Sequence, residues 1–235
     1  MGKILTELLT DVYRDLVPRY GTIDFAYAAQ MTNCEPAADG PIYMLNLMKY
    51  KARADYGEGA SGAGSAEVSG READDRYLPV DVLAAIGAAP CFMADVVAAT
   101  EDWDRVGVVR YPTRRSFIDM QSRKDFQAKH VHKEAGMDHT TVMGTLPDRD
   151  GEVPASARAV KGRVLLEVWR GDPPASPKVA DSHATVGFLV EGTIIGDERV
   201  WDGARYTTFA GDLALPSGGL DYQALLLAPT FERWT

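Results

Sequence analysis

The feature of this sequence that most restricts its fold is a series of eight strand-like segments in two groups of four. In Pro41–Tyr50, the side chains alternate so that Tyr43, Leu45 and Leu47 lie on one face, which is the two-residue period of a β-strand. The other segments of the first group are Pro90–Ala99, Trp103–Tyr111 and His139–Leu146. These four segments predict one antiparallel sheet.

Two helices are predicted between the strands of this first group. One covers Arg71–Gly87, and the other begins after Tyr111-Pro112-Thr113 and runs through Phe117, Met120 and Phe126. The resulting order, strand-helix-strand-strand-helix-strand, is that of a ferredoxin-like unit. Both helices should then cover one face of the sheet. We therefore expect residues 41–146 to form a first ferredoxin-like unit.

The second group of strands follows a polar, proline-containing segment, 147–162, which is predicted to be a linker. Its strands are Arg163–Arg170, Ala184–Gly192, Arg199–Ala210 and Tyr222–Ala228. A Trp-Asp pair begins the third strand of each group, as Trp103-Asp104 and Trp201-Asp202. Prolines stand where the helices of this group would lie, and proline is unfavourable inside a helix. Residues 163–235 are expected to form a second ferredoxin-like unit with reduced helices. The two unequal units should close into one barrel-like sheet.

Residues 1–40 are predicted to form an amphipathic helix and a connector. Apolar residues recur at helical spacing from Ile4 to Leu16, and Pro18 and Gly21 end the pattern. This helix should cover the second unit or form a homodimer contact. The glycine-rich stretch Tyr56–Gly70 predicts a loop or a lid over a pocket. It is not a phosphate-binding loop, because no Gly-Lys-Ser/Thr follows it.

Composition excludes several classes of function. The formal charge of the 235-residue chain is -9, which disfavours binding to nucleic acid or to an anionic membrane. The two cysteines, Cys34 and Cys91, cannot form a disulfide framework, and a reducing compartment is the simpler interpretation. No segment reaches the length of a membrane span. The expected location is the cytoplasm.

Several short motifs resemble an uncharacterised branch of the dimeric α+β barrel superfamily. The resemblance covers Pro41–Leu146 and is carried by Met44-Leu45-Asn46-Leu47 with Lys49, Tyr56-Gly57-Glu58-Gly59, Trp103-Asp104-Arg105-Val106, Arg110-Tyr111-Pro112, Phe117, and His132 with Ala135-Gly136. It implies an α+β fold in which two tandem ferredoxin-like units pair within one chain as a dimeric α+β barrel. It also implies a pocket between the helices and the sheet. The superfamily includes cofactor-free monooxygenases, isomerases, lyases, cyclases and a few haem enzymes.

Three of the four histidines, His130, His132 and His139, lie close together in sequence. Histidine suits proton transfer near neutral pH, and His132 matches the motif of the resemblance, so we expect His132 to be the general acid or base. His130 is a candidate substrate-binding residue, or a cation that favours the C-terminal end of a helix. No carboxylate or cysteine completes a familiar ligand spacing, so neither a metal nor another cofactor is predicted.

Five further residues complete the predicted site. Asn46, a polar residue on an apolar strand, could orient a substrate carbonyl or stabilise negative charge, or it could be a buried amide satisfied by the backbone. Tyr111 is expected to position the substrate together with Asn46. Trp103, Tyr56 and Glu167 are candidate substrate-binding residues. An arginine partner is the structural alternative for Glu167.

The hypothesis from these residues and the resemblance is a cofactor-independent enzyme that acts on a small apolar or aromatic metabolite. It would use general acid–base chemistry of the isomerase or lyase type. A cofactor-free monooxygenase and a non-catalytic protein that binds small ligands are the alternatives.

Overall fold

The computed structural model describes residues 18–57, 68–148, 162–175 and 182–234. The predicted N-terminal helix lies outside these residues. So do most of the glycine-rich stretch and of the linker predicted at 147–162. The division into segments at 1–40, 41–146, 147–162 and 163–235 therefore stays a prediction.

All eight predicted strands are present, and a short strand precedes them. The nine strands of the described residues are β1 (Thr22–Ile23), β2 (Ile42–Tyr50), β3 (Ala89–Ala99), β4 (Arg105–Tyr111), β5 (Met137–Pro147), β6 (Arg163–Trp169), β7 (Ser182–Gly196), β8 (Gly203–Phe209) and β9 (Tyr222–Glu232). The position of each strand follows the alternation and composition of its segment. In β2, Tyr43, Leu45 and Leu47 all belong to the largest buried cluster, as the alternation predicts.

The helices of the described residues all lie in the N-terminal part of the chain. They are α1 (Phe25–Thr32), α2 (Gly70–Tyr77), α3 (Val80–Ala85), α4 (Arg114–Gln121) and α5 (Lys124–Gly136). The helix predicted at Arg71–Gly87 is divided in two. Proline restricts the residue before it to extended conformations, and Pro79 ends α2 at this point. Residues 162–175 and 182–234 contain no helix, in agreement with the proline pattern.

The strands form one closed antiparallel barrel, and the predicted fold class of two tandem ferredoxin-like units in a dimeric α+β barrel is wrong. The order around the barrel is β7-β5-β2-β4-β3-β9-β6-β8, and β8 pairs again with β7. Two four-stranded sheets without pairing between them would leave four edge strands with unpaired backbone groups. Pairing β3 with β9 and β5 with β7 removes those edges, because closure satisfies every strand on both sides.

The barrel interior is filled by large side chains from both groups of strands. Phe92, Phe188 and Tyr206 meet the C-terminal Trp234, with ring centroids 5.5–5.9 Å apart. Aromatic side chains bury large apolar areas, so this cluster ties the second group of strands to the first. The interior of the barrel is therefore a packed core.

The repeated Trp-Asp pair has the same structural role at two places in the barrel. The Asp104 carboxylate accepts a hydrogen bond from the backbone N–H of Tyr50 at 2.8 Å, and Asp202 accepts one from Gly171 at 2.6 Å. The carbonyl oxygens of the two aspartates accept from Val96 and Val190, both at 3.0 Å. Each aspartate thus holds the end of a neighbouring strand just before β4 or β8 begins.

The contact between α2 and α5 determines where the site forms. The two helices cross at Gly70 and Gly136, where a Cβ atom on either residue would overlap backbone atoms. Lys51, which follows β2, holds both glycines: its N–H donates to the Gly136 carbonyl at 2.9 Å, and its carbonyl accepts from the Gly70 N–H at 3.0 Å. This close approach brings the polar faces of α2 and α5 together over the sheet.

Replacing Gly136 with alanine is expected to destabilise the protein by about 1–3 kcal/mol, the usual effect of an added methyl group in a tightly packed contact. The added Cβ would overlap the Gly70 carbonyl oxygen and lie 2.9 Å from the Ala73 Cβ. Urea denaturation measures the change. Gly40→Ala is the control, because a Cβ at Gly40 has nothing within 4 Å. Equal stability of the two variants would contradict the close crossing.

Candidate functional site

A cavity of about 140 Å³ lies between the helices and the outer face of the sheet. We call it the helix–sheet cavity. Its floor is formed by residues of β2, β3, β4, β5 and β7, and its roof by α2–α5. Much of its wall is apolar, including Met44, Met93, Val109, Phe117, Ile118 and Ile194. The strand alternation that sends Leu45 and Leu47 into the barrel therefore turns the even-numbered residues of β2 towards this cavity.

Ionisable side chains also line the cavity. They are Tyr20, Asp74, Tyr77, His130 and Lys133, and we call them the ionisable cluster. Asp74 and Tyr77 are three residues apart on α2, as are His130 and Lys133 on α5, so each pair shares one helix face. The crossing at Gly70 and Gly136 turns these two faces towards each other. The cluster is therefore a product of helix packing.

His130 is held through one of its two ring nitrogens. Its Nε2 lies 3.2 Å from the Tyr20 hydroxyl and 3.5 Å from Oε1 of Glu134. An ionised carboxylate can only accept a hydrogen bond, so Glu134 favours a proton on Nε2. The Nδ1 atom is buried and has no hydrogen-bond partner within the described residues. The neutral imidazole then carries an unpaired basic lone pair at Nδ1.

Lys133 places an amine between two aromatic rings. The side chain is buried, with 8% of the residue exposed, and its Nζ lies 5.3 Å from the ring centroid of Tyr77 and 5.7 Å from that of Tyr20. Burial lowers the pKa of Lys133, since the charged form loses its hydration. Nζ makes no hydrogen bond or ion pair with any residue that the structure describes.

Asp74 is also buried, but its charge is balanced by its neighbours. Its carboxylate accepts a hydrogen bond from the Tyr50 hydroxyl at 2.6 Å and one from Arg105 at 3.4 Å. Arg105 also pairs with Asp75 at 2.7 Å. Burial raises the pKa of Tyr50, and the neighbouring Asp74 raises it further. The Tyr50 hydroxyl therefore stays protonated and donates to Asp74.

Three of the residues predicted from the sequence line the helix–sheet cavity: Asn46, Tyr111 and His130. The Asn46 amide donates to the carbonyl of Met44 at 2.9 Å, which leaves its side-chain oxygen as an acceptor. Burial raises the pKa of Tyr111, whose hydroxyl contacts the Met120 sulfur at 3.9 Å. The structure thus brings Asn46, Tyr111 and His130 to one site. Their predicted roles are not tested by it.

His132 and Tyr56 are not among the residues that line this cavity. They contact each other: the Tyr56 hydroxyl lies 2.9 Å from Nδ1 of His132, and the two rings meet edge to face. Burial, and then the positive charge of Arg76, lower the pKa of His132. His139 is an exposed residue of β5, with its Nδ1 2.9 Å from Asp138 and its ring centroid 4.9 Å from that of Trp103.

Trp103 and Glu167 also lie away from the cavity. The Trp103 indole N–H donates to Gln223 at 3.0 Å, and the ring belongs to the barrel core. Glu167, only 2% exposed, pairs with Arg205 at 2.8 Å and accepts a hydrogen bond from the Tyr222 hydroxyl at 2.8 Å. Both side chains are fully engaged with other residues of the chain. The structural alternative given for Glu167, an ion pair with an arginine, is therefore what the structure shows.

Tyr20, Asp74, Tyr77 and Lys133 were not predicted from the sequence as site residues. A signal for Lys133 was present, because Phe126, His130 and Lys133 are spaced i, i+4 and i+7 and so share the face of α5 that Phe126 buries. No comparable signal marks Tyr20 or Asp74. Their place in the cluster depends on the close crossing of α2 and α5 and on the chain that leads into β1.

The described residues show neither a metal-binding cluster nor a membrane-spanning helix. Within the described ranges, no group of three or more histidine, cysteine, aspartate or glutamate side chains is arranged to hold a metal ion. No helix in those ranges is long and apolar enough to cross a lipid bilayer. The groups that the cavity offers to a ligand are apolar surface, hydrogen-bonding side chains and one unpaired amine.

Fold and site together define a closed antiparallel barrel whose helices enclose a cavity against the outer face of the sheet. No family model and no curated protein matches the chain. The crystal structure of the methylated RPA0582 protein is 25% identical, covers 56% of this chain and 98% of that one, and has a TM-score of 0.47. A second structure of RPA0582, a protein of unknown function from Rhodopseudomonas palustris, is 22% identical, with coverages of 53% and 94% and a TM-score of 0.45. Membership of the dimeric α+β barrel superfamily is not confirmed by these comparisons.

Proposed function

We propose that this protein is a cofactor-independent enzyme that applies acid–base chemistry, of the isomerase or lyase type, to a small apolar or aromatic metabolite. The observation that carries the proposal is the helix–sheet cavity, in which apolar walls meet the ionisable cluster. Substrate sites typically combine apolar walls with a few convergent polar groups. Acid–base catalysis requires such a group within reach of the reacting atom.

The proton-transfer role goes to His130 in this proposal. Of the two histidines that the sequence makes candidates, His130 lines the cavity, whereas His132 contacts Tyr56 outside it. Its Nε2 is oriented by Tyr20 and Glu134, and Nδ1 has no partner among the described residues. A histidine held through one nitrogen, with the other free, is the arrangement that a general base needs.

The floor of the cavity suits an apolar substrate with a carbonyl or similar polar group. Four of the eight methionines line the cavity: Met44, Met48, Met93 and Met120. Methionine side chains adapt their shape to different apolar partners. Asn46 and Tyr111 lie on the same floor and would orient the polar group of the substrate. Asn46 lies directly opposite Gly107 on β4, and both residues line the cavity.

Filling the cavity tests the proposal. We expect Gly107→Leu to remove a co-purifying small molecule from the protein, or to weaken binding of an apolar ligand by at least about tenfold, because the new side chain would occupy space that the ligand needs. The three atoms nearest to a Cβ at Gly107 belong to the flexible ends of Met48 and Met93, at 3.3–3.5 Å, so the fold should survive. Native mass spectrometry of freshly purified protein detects the molecule.

Gly40→Leu is the matched control, since a Cβ at Gly40 contacts nothing within 4 Å. Equal ligand content in wild type and Gly107→Leu would contradict a ligand site in the cavity. Turnover of the identified ligand separates an enzyme from a binding protein, and oxygen consumption would mark the cofactor-free monooxygenase. A cytoplasmic location, a homodimer and the lack of nucleic-acid or membrane partners stay predictions from the sequence.

A further inference from the structure

Two members of the ionisable cluster, Lys133 and Tyr77, have no hydrogen bond or ion pair with the described residues. The Tyr77 hydroxyl is neutral, so Lys133 is the one of the two that can carry a charge. Two carboxylates influence it from nearby. Asp74 is engaged by Tyr50 and Arg105. Glu134 is engaged by Arg19 at 3.5 Å and lies 3.5 Å from His130. Each nearby acid therefore already has another partner.

An unpaired ammonium at this position is expected to lower the stability of the folded protein. A buried charge without a partner lowers stability, and an apolar side chain of similar volume commonly does better. The Nζ of Lys133 lies over the rings of Tyr20 and Tyr77. The rings favour a cation at this point but cannot neutralise it. A residue that opposes stability inside a cavity is typical of a functional site.

We propose that the ligand of the helix–sheet cavity is a small apolar or aromatic monocarboxylate and that Lys133 binds its carboxylate group. This inference rests on the proposed function and names the class of substrate. The carboxylate would lie beside Nζ at the ionisable cluster, and the apolar remainder would contact the methionine-rich floor. Binding would supply the countercharge that the described residues lack and would favour the protonated amine.

The charges of the site select a single negative charge. Arg105 is paired with Asp74 and Asp75, at 3.4 and 2.7 Å, so Lys133 is the cation left over. Lys133 offers one positive charge, so the second negative charge of a dicarboxylate or a phosphate ester would be buried without a partner, which is unfavourable. A cationic ligand would meet the ammonium of Lys133 directly. One carboxylate on an apolar body matches the site.

Three probes of one shape test the inference: hydrocinnamate, its neutral amide hydrocinnamamide, and the cation phenylpropylamine. Isothermal titration should show that wild type binds hydrocinnamate about 10- to 100-fold more tightly than the amide, the usual contribution of a hydrogen-bonded charge pair. Lys133→Met keeps an unbranched stem and removes the charge. It should lose this preference while binding the amide as wild type does. Lys129→Met, at a lysine of the same helix that pairs with Asp81 outside the cavity, should retain it.

Thermal unfolding gives a second test, because Lys133→Met should raise Tm without ligand and reduce the gain in Tm that hydrocinnamate causes. Without ligand, Lys133→Met should melt at a higher temperature than wild type, because the unpaired buried charge is gone. With saturating hydrocinnamate the wild type should gain more in Tm than the variant. A variant that binds hydrocinnamate as tightly as wild type overturns the inference, and so does an amide that binds as tightly as the acid. In either case apolar ligands still bind, so the proposed function stands. If no probe binds and Gly107→Leu carries the same molecules as wild type, both proposals fail.

Discussion

Replacing His130 with alanine is expected to lower turnover of the substrate by about 10²–10⁴-fold, the usual contribution of a general acid or base. The imidazole lines the cavity, Tyr20 and Glu134 orient its Nε2, and its Nδ1 has no partner within the described residues. Steady-state kinetics on the ligand found by mass spectrometry measures the effect. Because the change removes proton transfer and little binding surface, kcat should fall more than KM rises.

Variants of two other histidines, His139 and His132, are the controls for His130→Ala. His139→Ala alters an exposed side chain paired with Asp138 and should leave turnover unchanged. His132→Ala tests the competing assignment from the sequence. Burial lowers the pKa of His132, so a base at this position would stay active until the pH falls through a value below the ordinary histidine range. A titration of that kind that disappears in His132→Ala would return the role to His132.

Replacing Arg205 with methionine is expected to destabilise the protein by about 3–5 kcal/mol, because it leaves the Glu167 carboxylate buried without its cation. Glu167 is 2% exposed and would keep only the hydroxyl of Tyr222. Arg205 also donates to the carbonyl groups of Pro174 and Ala175, both at 3.2 Å, so this segment would lose its attachment to the barrel. In thermal unfolding the loss corresponds to a fall of roughly 6–20 °C in Tm.

The double variant Glu167→Leu with Arg205→Met should recover most of this stability, because two apolar side chains replace a buried ion pair without leaving a charge unpaired. Arg115→Met is the exposed control. Its pairing with Asp119 is more than half exposed on both sides, and such surface pairs contribute about 0–1 kcal/mol. A single Arg205→Met variant as stable as wild type would show that Glu167 is not held as a buried charge. The role of substrate-binding residue would then be open to it again.

Much of the local structure could be predicted from the sequence because its cause is local. The period of two in Pro41–Tyr50 turns Leu45 into the barrel and Met44 towards the helices, as observed in β2. The prolines after β6 disfavour helices there, and the described part of this region has none. Each of these features depends on residues a few positions apart, which a single sequence displays directly.

The strand pairings that close the barrel could not be predicted in the same way. The pairings of β3 with β9 and β5 with β7 join segments far apart in the chain. Each strand of an antiparallel pair has backbone donors and acceptors that suit many partners. The choice between two separate sheets and one closed ring depends on the edges that each arrangement leaves unpaired. That is a property of the whole sheet.

The sequence by itself determined the positions of the strands, the absence of helices from the described residues after Arg163, and three residues of the site: Asn46, Tyr111 and His130. The tertiary structure alone decided which of the two neighbouring histidines lines the cavity. It also decided that Lys133 is a buried amine without a partner among the described residues. The physical reason is the crossing of α2 and α5 at two glycines, since hydrogen bonds, burial and charge balance depend on distances between elements that the order of residues does not contain.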